Sequence, residues 1–356
     1  MKNKKMKSLL LMAAIVPTLL ITSCRKDKTD DGFSINTTKG VFVVDQGAYG
    51  KVNAGISFFE RNSKTMTNDI FNKVNGRSLG DVAQSMGEAN GKYYIVINNS
   101  NKIEVVNKNN FISEGTIKGV NMPRYFLQID SSKAYVTEWG NGDGGKVDVI
   151  NLKTNQVTTT IKVGEGAENL ILDNNKVYVA NSGGFSNAKT LSVINTLTDK
   201  VDTTFEIGDN PNSLALDVNG KLWALCGGKY NPDWSFATYG SLVRINLTTN
   251  AIEQTVSFTS QFMQPTNLIV NPTKDILYYC HNDNVYSFHI NATTLENTPK
   301  INKNINGMFI DKASNYFYVA DAKGFKVNGW IYRYDLNFAP IDSFEVGIAP
   351  SFFYSN

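Results

Sequence analysis

The sequence is poor in the residues that carry most catalytic and metal chemistry. It has two histidines and three cysteines in 356 residues. No Cys-x-x-Cys-His run occurs, which excludes covalent haem attachment of that type. So few cysteines make no disulfide framework. Beyond the first two dozen residues no stretch is apolar enough for a transmembrane helix, and none shows sustained helical periodicity. A charge excess is also missing. Residues 1–23 hold four lysines and no acid, which leaves 31 basic against 32 acidic residues in the rest. That balance argues against a nucleic-acid partner, which would need a basic face.

What is present begins with a leader. Lys2, Lys4, Lys5 and Lys7 precede an apolar stretch over 9–20, and Leu20-Ile21-Thr22-Ser23 leads into Cys24. The apolar core is short for a membrane span and its flanks are those of a cleaved signal. The last residues resemble a lipobox, in which Cys24 becomes the lipidated first residue of the mature chain. Attachment to the membrane is then by lipid alone. Residues 24–39 are polar and read as a tether. Their mix of Lys and Asp resembles the signals that carry Bacteroidota lipoproteins to the outer face of the outer membrane. The expected organisation is a signal peptide over 1–23, a lipidated tether over 24–39 and one domain over 40–356.

That domain is a repeat. One strand type recurs at 41–44, 93–97, 134–137, 177–180, 222–225, 276–279 and 316–319, with starts 52, 41, 43, 45, 54 and 40 residues apart. A second strand follows each, at 56–60, 103–107, 147–151, 191–195, 242–246, 285–291 and 331–335. Most end in Asn or Asp, residues that bond their own backbone at turns. A third strand runs into Gly164 or Gly208, and a fourth follows, as at 169–173 and 213–217. Four short strands per period of roughly 40–50 residues predict an all-β, seven-bladed β-propeller. Residues 349–356 match an innermost strand, and 352–356 are expected to close the ring against the strand at Val41.

Units such as 177–181, 191–195 and 211–217 resemble the YncE-like propellers, often called surface-layer-type proteins. The likeness covers nearly all of 41–356. Lipidated single-propeller chains of this kind resemble the Bacteroidota surface proteins that capture cobalamin for a TonB-dependent outer-membrane transporter. The resemblance therefore implies a corrinoid ligand and such a transporter as partner, with no cofactor. No short motif fixes the ligand.

Naming the strands of a blade A to D outward from the axis, the B–C and D–A connections share one face. The B–C loops carry the insertions, at 46–53, 138–143, 181–185 and, longest, 227–240. Insertions on one face mark a binding face. That face holds the aromatics Tyr49, Trp139, Phe185, Tyr230, Trp234, Phe236 and Phe325. Each ring has two readings, ligand contact or packing of its own loop. The D–A connections supply Gln84, Arg124, Tyr125, Glu168, Asn169, Asn212, Asn267 and Asn306 near the axis. The A–B and C–D turns read as short.

Evidence for an enzyme is thin, and the chain is expected not to be one. His281 ends a B strand on the proposed ligand face, whereas His289 sits mid-strand and reads as packed core. One histidine makes no metal site. Glu165 and Glu168 read as a solvated turn, and 142–145 lack the carboxylates and the helix of a calcium or phosphate loop. Cys226 and Cys280 fall at nearly matching places in adjacent blades and read as two free thiols, with a disulfide as the alternative. Besides ligand capture, an adhesive or structural surface module remains open, and third a propeller enzyme such as a lactonase or lyase.

Overall fold

The computed structural model describes residues 39–355 except 141 and 143. The leader, Cys24 and the tether to residue 38 lie outside the described residues, as do Asp143 and Asn356. Seven four-stranded antiparallel sheets follow one another along the chain. In the third blade the strands are Pro123–Gln128 (A), Lys133–Glu138 (B), Lys146–Asn151 (C) and Gln156–Lys162 (D). The ring of blades is the seven-bladed β-propeller that the repeat implies.

The strand sequences follow from where the blades touch. B and C strands are sandwiched between neighbouring blades and read as near-continuous apolar runs, such as the wholly buried Leu222–Cys226. D strands face water on one side and alternate, as in Lys200–Glu206. Buried side chains form one cluster per blade interface. Tyr94, Val96 and Ile103 of blade 2 meet Phe126, Val136 and Ile150 of blade 3. The C-strand asparagines cap their turns as expected. Asn151 Oδ1 accepts the amides of Lys153 and Thr154 at 2.9 and 3.0 Å, and Asn195 and Asn246 do the same for Leu197 and Thr248.

The ring closes through Pro350–Tyr354, two residues earlier than the sequence suggests. This strand pairs with Gly40–Asp45, setting Val43 opposite Phe353 and Val44 opposite Phe352. Across the same seam Arg61 donates Nε and Nη2 to Asp311 at 2.7 and 2.8 Å, and Asp311 is fully buried.

Asp45 also sits at this seam, 1 % exposed, accepting Ser57 Oγ at 2.6 Å. Its Oδ1 has no partner. Burial pushes its carboxyl from an ordinary 3.8 to about 8. The folded chain thus holds a proton that the unfolded chain gives up above its own lower pKa. From this group, stability is highest below pH 4 and falls as pH rises from about 4 to about 8. Asp45→Asn keeps the shape and removes the titration. It is expected to flatten that decline and to be a few kcal/mol more stable than wild type at pH 8.5. Urea unfolding at pH 5 and pH 8.5 checks this; equal losses in both proteins would contradict it.

Three local features depart from the sequence reading. A short helix, Ile70–Asn75, links blades 1 and 2 and buries Ile70 and Phe71. At six residues it is too short to leave a helical period. His289 is exposed, not core, and its Nδ1 accepts the Asn291 amide at 3.2 Å. The C–D connection of blade 6 is long, running over 290–300, and leaves a D strand of only Ile301–Asn302.

Candidate functional site

The polar residues near the axis, Asn306 excepted, are strand residues and not loop residues. At the mouth of the A strands the A–B pairing slips. The shifts fall between Ala83 and Ser85, Pro123 and Phe126, Ala167 and Leu170, Pro211 and Ser213, and Thr266 and Ile269. The residues skipped are Gln84, Arg124 with Tyr125, Glu168 with Asn169, Asn212, and Asn267 with Leu268. A bulge releases a residue from the ladder and re-aims its side chain. Gln84, Tyr125, Asn169 and Asn267 thereby line an axial cavity of about 510 Å³ together with Arg124, Glu168 and Asn212, and Asn306 lines it from just before the A strand of blade 7.

Arg124 is the hub. It donates Nε and Nη2 to Glu168 at 2.9 and 2.8 Å and Nη1 to Gln84 at 2.6 Å. Its guanidinium lies 4.1 Å from the Trp139 ring centroid. Trp139 in turn donates Nε1 to Glu168 at 2.5 Å. Burial opposes the charge on Arg124, but the Glu168 carboxylate outweighs it and holds the group charged. Tyr125 is pushed up to about 12, by burial first and then by Glu168, so it remains a neutral phenol. Glu165 is exposed and takes no part in this network.

The amides of the ring are largely spent on the fold. Asn212 Nδ2 donates to Pro265 O and Asn306 Nδ2 to Pro350 O, each at 2.9 Å and each on the next blade. Asn169 Oδ1 accepts the Leu214 amide at 3.2 Å. Asn267, at φ 60°, holds Thr266 Oγ1 at 3.2 Å. The repetition seen in the sequence is therefore first an inter-blade clasp.

Arg124, Glu168, Asn212 and Thr266 also line a second, larger cavity of about 880 Å³ above the axis, toward blades 4 and 5. Its walls are the B–C loops of those blades. Trp139, Phe185, Tyr230 and Trp234 all line it. Trp139 offers no stacking surface, because Arg124 covers one face and a Cβ placed at Gly184 would lie 3.2 Å from its Cγ. The loop over 227–240 contains a small hairpin, Lys229–Tyr230 paired with Phe236–Thr238. Tyr230 packs on Phe236 with centroids 4.4 Å apart, and Trp234 leans on Tyr230 at 5.9 Å. Phe185 and Trp234 stay 71 % and 80 % exposed.

Not every expected residue joins the site. Tyr49 and Phe325 are exposed on other B–C loops and line neither cavity, and His281 lines a separate groove. Ser182, Asn187, Asn210, Lys229, Asn231 and Gln264 line the larger cavity and were not singled out. Lys229 and Asn231 lie in the long insertion and were legible there; Asn210 and Gln264 precede A strands and carried no signal. Cys226 and Cys280 are free and buried. No cluster of three potential metal ligands occurs among the described residues.

A family model described as a domain of unknown function, DUF5074, matches residues 39–316. The chain belongs to the DUF5074 family. The match spans three strands of blade 1, all of blades 2 to 6 and the start of blade 7. No curated protein matches the sequence. Among solved structures, a quinoprotein alcohol dehydrogenase-like protein from Bacteroides thetaiotaomicron is similar at TM-score 0.66 and 17 % identity, covering 90 % of this chain and 79 % of that one. A periplasmic gluconolactonase from Pseudomonas aeruginosa is similar at TM-score 0.64 and 12 % identity, covering 88 % and 98 %. A candidate 6-phosphogluconolactonase from Bacteroides fragilis gives 0.64 and 12 %, covering 90 % and 99 %. At such identities the likeness speaks for the fold of this DUF5074 chain and not for its activity.

Proposed function

We propose that this DUF5074 protein is a lipid-anchored ligand-binding protein of the outer membrane, facing the exterior. Its larger cavity would take a flat ligand with a polar periphery and pass it on unchanged. The observation that carries this is the pairing of exposed rings, Phe185 and Trp234, with amides and one unpaired cation, Lys229, around about 880 Å³. Exposed aromatics at a cavity rim are costly unless something covers them. The one carboxylate there, Glu168, is consumed by Arg124 and Trp139. What remains for a ligand is rings, amides and the Lys229 ammonium, with no unpaired carboxylate among the described lining residues.

A corrinoid has a flat macrocycle edged with amides and meets these demands, and the family resemblance points the same way. A TonB-dependent transporter is the partner such a role requires. The test is co-purification. Full-length protein extracted from its native membrane in detergent is expected to carry the visible absorption of a corrin. A colourless, ligand-free protein from corrinoid-fed cells would contradict the corrinoid reading.

The anchor has its own test. Cys24→Ala is expected to leave the protein unprocessed or free of the membrane fraction and without incorporated labelled fatty acid. Fatty acid still attached to that variant would overturn the lipobox reading.

A further inference from the structure

The truncated D strand of blade 6 opens a groove of about 520 Å³ between blades 5 and 6, separate from the two cavities at the axis. Its floor is aromatic. Tyr279 and Tyr286 lie opposite each other on adjacent strands, their rings 5.9 Å apart and 15° from parallel. Phe258 meets His281 at 4.4 Å, and His281 meets Tyr286 at 5.7 Å. Residues 293–297, in the long connection that precedes the shortened strand, form the outer wall.

Several polar groups in this groove have no use in the fold. Tyr279 is 1 % exposed and lines the groove, yet its hydroxyl bonds no described residue; nor does that of Tyr286. Neither oxygen is shut off from solvent, so both hydroxyls stay open to a ligand in the groove. Glu296 spends only Oε2, on Ser287 Oγ at 3.2 Å and Lys300 Nζ at 2.8 Å. His281 holds Ser260 O through Nε2 at 3.1 Å.

The charge decides the ligand class. No lysine or arginine lines the groove, so nothing there recognises an anion. Its one acid is already neutralised by Lys300. Burial holds the His281 imidazole below its ordinary pKa, and therefore uncharged at neutral pH. Serine and threonine hydroxyls along the 255–260 wall make the groove too polar for a hydrocarbon. A group with an apolar C–H face and a rim of hydroxyls fits both the rings and the unspent donors and acceptors. We propose that this groove is a second binding site, for a neutral sugar unit that stacks on Tyr286 and hydrogen-bonds the Tyr279 hydroxyl and Glu296.

Saturation-transfer NMR on the full mature chain with maltotriose, cellotriose and chitotriose tests this. Transfer to the ring protons of at least one is expected. Tyr286→Ala is expected to abolish it, and Tyr279→Phe, which removes one hydroxyl, to weaken binding about fivefold. Trp234→Ala, at the other cavity, is expected to leave it unchanged. No transfer to any of the three sugars would overturn the proposal, as would transfer that survives Tyr286→Ala. Transfer lost in Trp234→Ala would move the sugar to the axial cavities and equally refute the groove. Tyr279→Phe decides the matter if melting shows that Tyr286→Ala does not fold.

Discussion

A chain lacking residues 350–356 is expected not to fold cooperatively. Pro350–Tyr354 supplies the A strand of blade 1, and without it Gly40–Asp45 becomes an open edge. Phe353, 4 % exposed, leaves a cluster shared with Val41, Val43, Phe59 and Tyr318. Phe352 and Tyr354 leave the cluster around Phe42 and Tyr93. Burying one such side chain is worth about 1.5–3 kcal/mol, and domains are stable by only about 5–15 kcal/mol in all. The deletion also strips Asn306 of the Pro350 carbonyl it holds at 2.9 Å. The loss of three aromatics, a strand ladder and a clasp exceeds what the rest can supply. The Arg61–Asp311 pair, the Gly347 amide on Ser57 Oγ and the Phe59 ring against Tyr318 and Phe344 would be left to bridge the seam. Circular dichroism melting and gel filtration check this. A sharp transition within a few degrees of wild type would contradict the closure.

The second large effect is expected at Arg124. Arg124→Met removes the cation that holds Glu168, a carboxylate 5 % exposed. Breaking a buried pair by removing one partner costs about 3–5 kcal/mol, because the other charge is left uncompensated. Glu168→Gln should cost less, since Trp139 and Arg124 keep a neutral acceptor. The double variant should recover part of the loss, which is the signature of direct coupling. The site should also loosen, because Trp139 loses the group on one face and a fixed partner for Nε1. Urea unfolding of the four proteins measures the cycle. Single-variant losses under about 1 kcal/mol, adding without coupling, would show that the pair is solvated and not structural.

The fold was legible because a propeller writes the same constraint seven times. Each B strand meets two neighbouring blades, so an apolar run such as 177–180 recurs at a fixed period. The turn after Asn151 or Asn195 recurs for a local reason, a side-chain oxygen bonding amides two or three residues on. The site was legible only in part. Loop insertions marked the face on which the larger cavity lies, and Trp139, Phe185, Tyr230 and Trp234 do share that cavity. The sequence could not tell which rings are spent. Trp139 and Trp234 look alike in a loop, yet one is pinned between Arg124 and Gly184 and the other is largely exposed. The slips at the A-strand mouths were invisible for the same reason. A bulge depends on pairing across strands, so Arg124 and Glu168 read as loop residues although 44 positions apart they form one ion pair. The shortened outer strand of blade 6 is a length effect that composition does not record, and His281 lines the groove beside it.

The central claim is that the cavity between the loops of blades 4 and 5 holds a ligand against Trp234. Calorimetric titration of cyanocobalamin into the mature protein and into Trp234→Ala tests it most directly. Saturable heat with one site per chain is expected for wild type. If the indole is an anchor, its removal should cost about 2 kcal/mol, or roughly thirtyfold in Kd, with the melting temperature unchanged. No heat at tens of micromolar protein would contradict the corrinoid, and equal binding by both proteins would contradict the site.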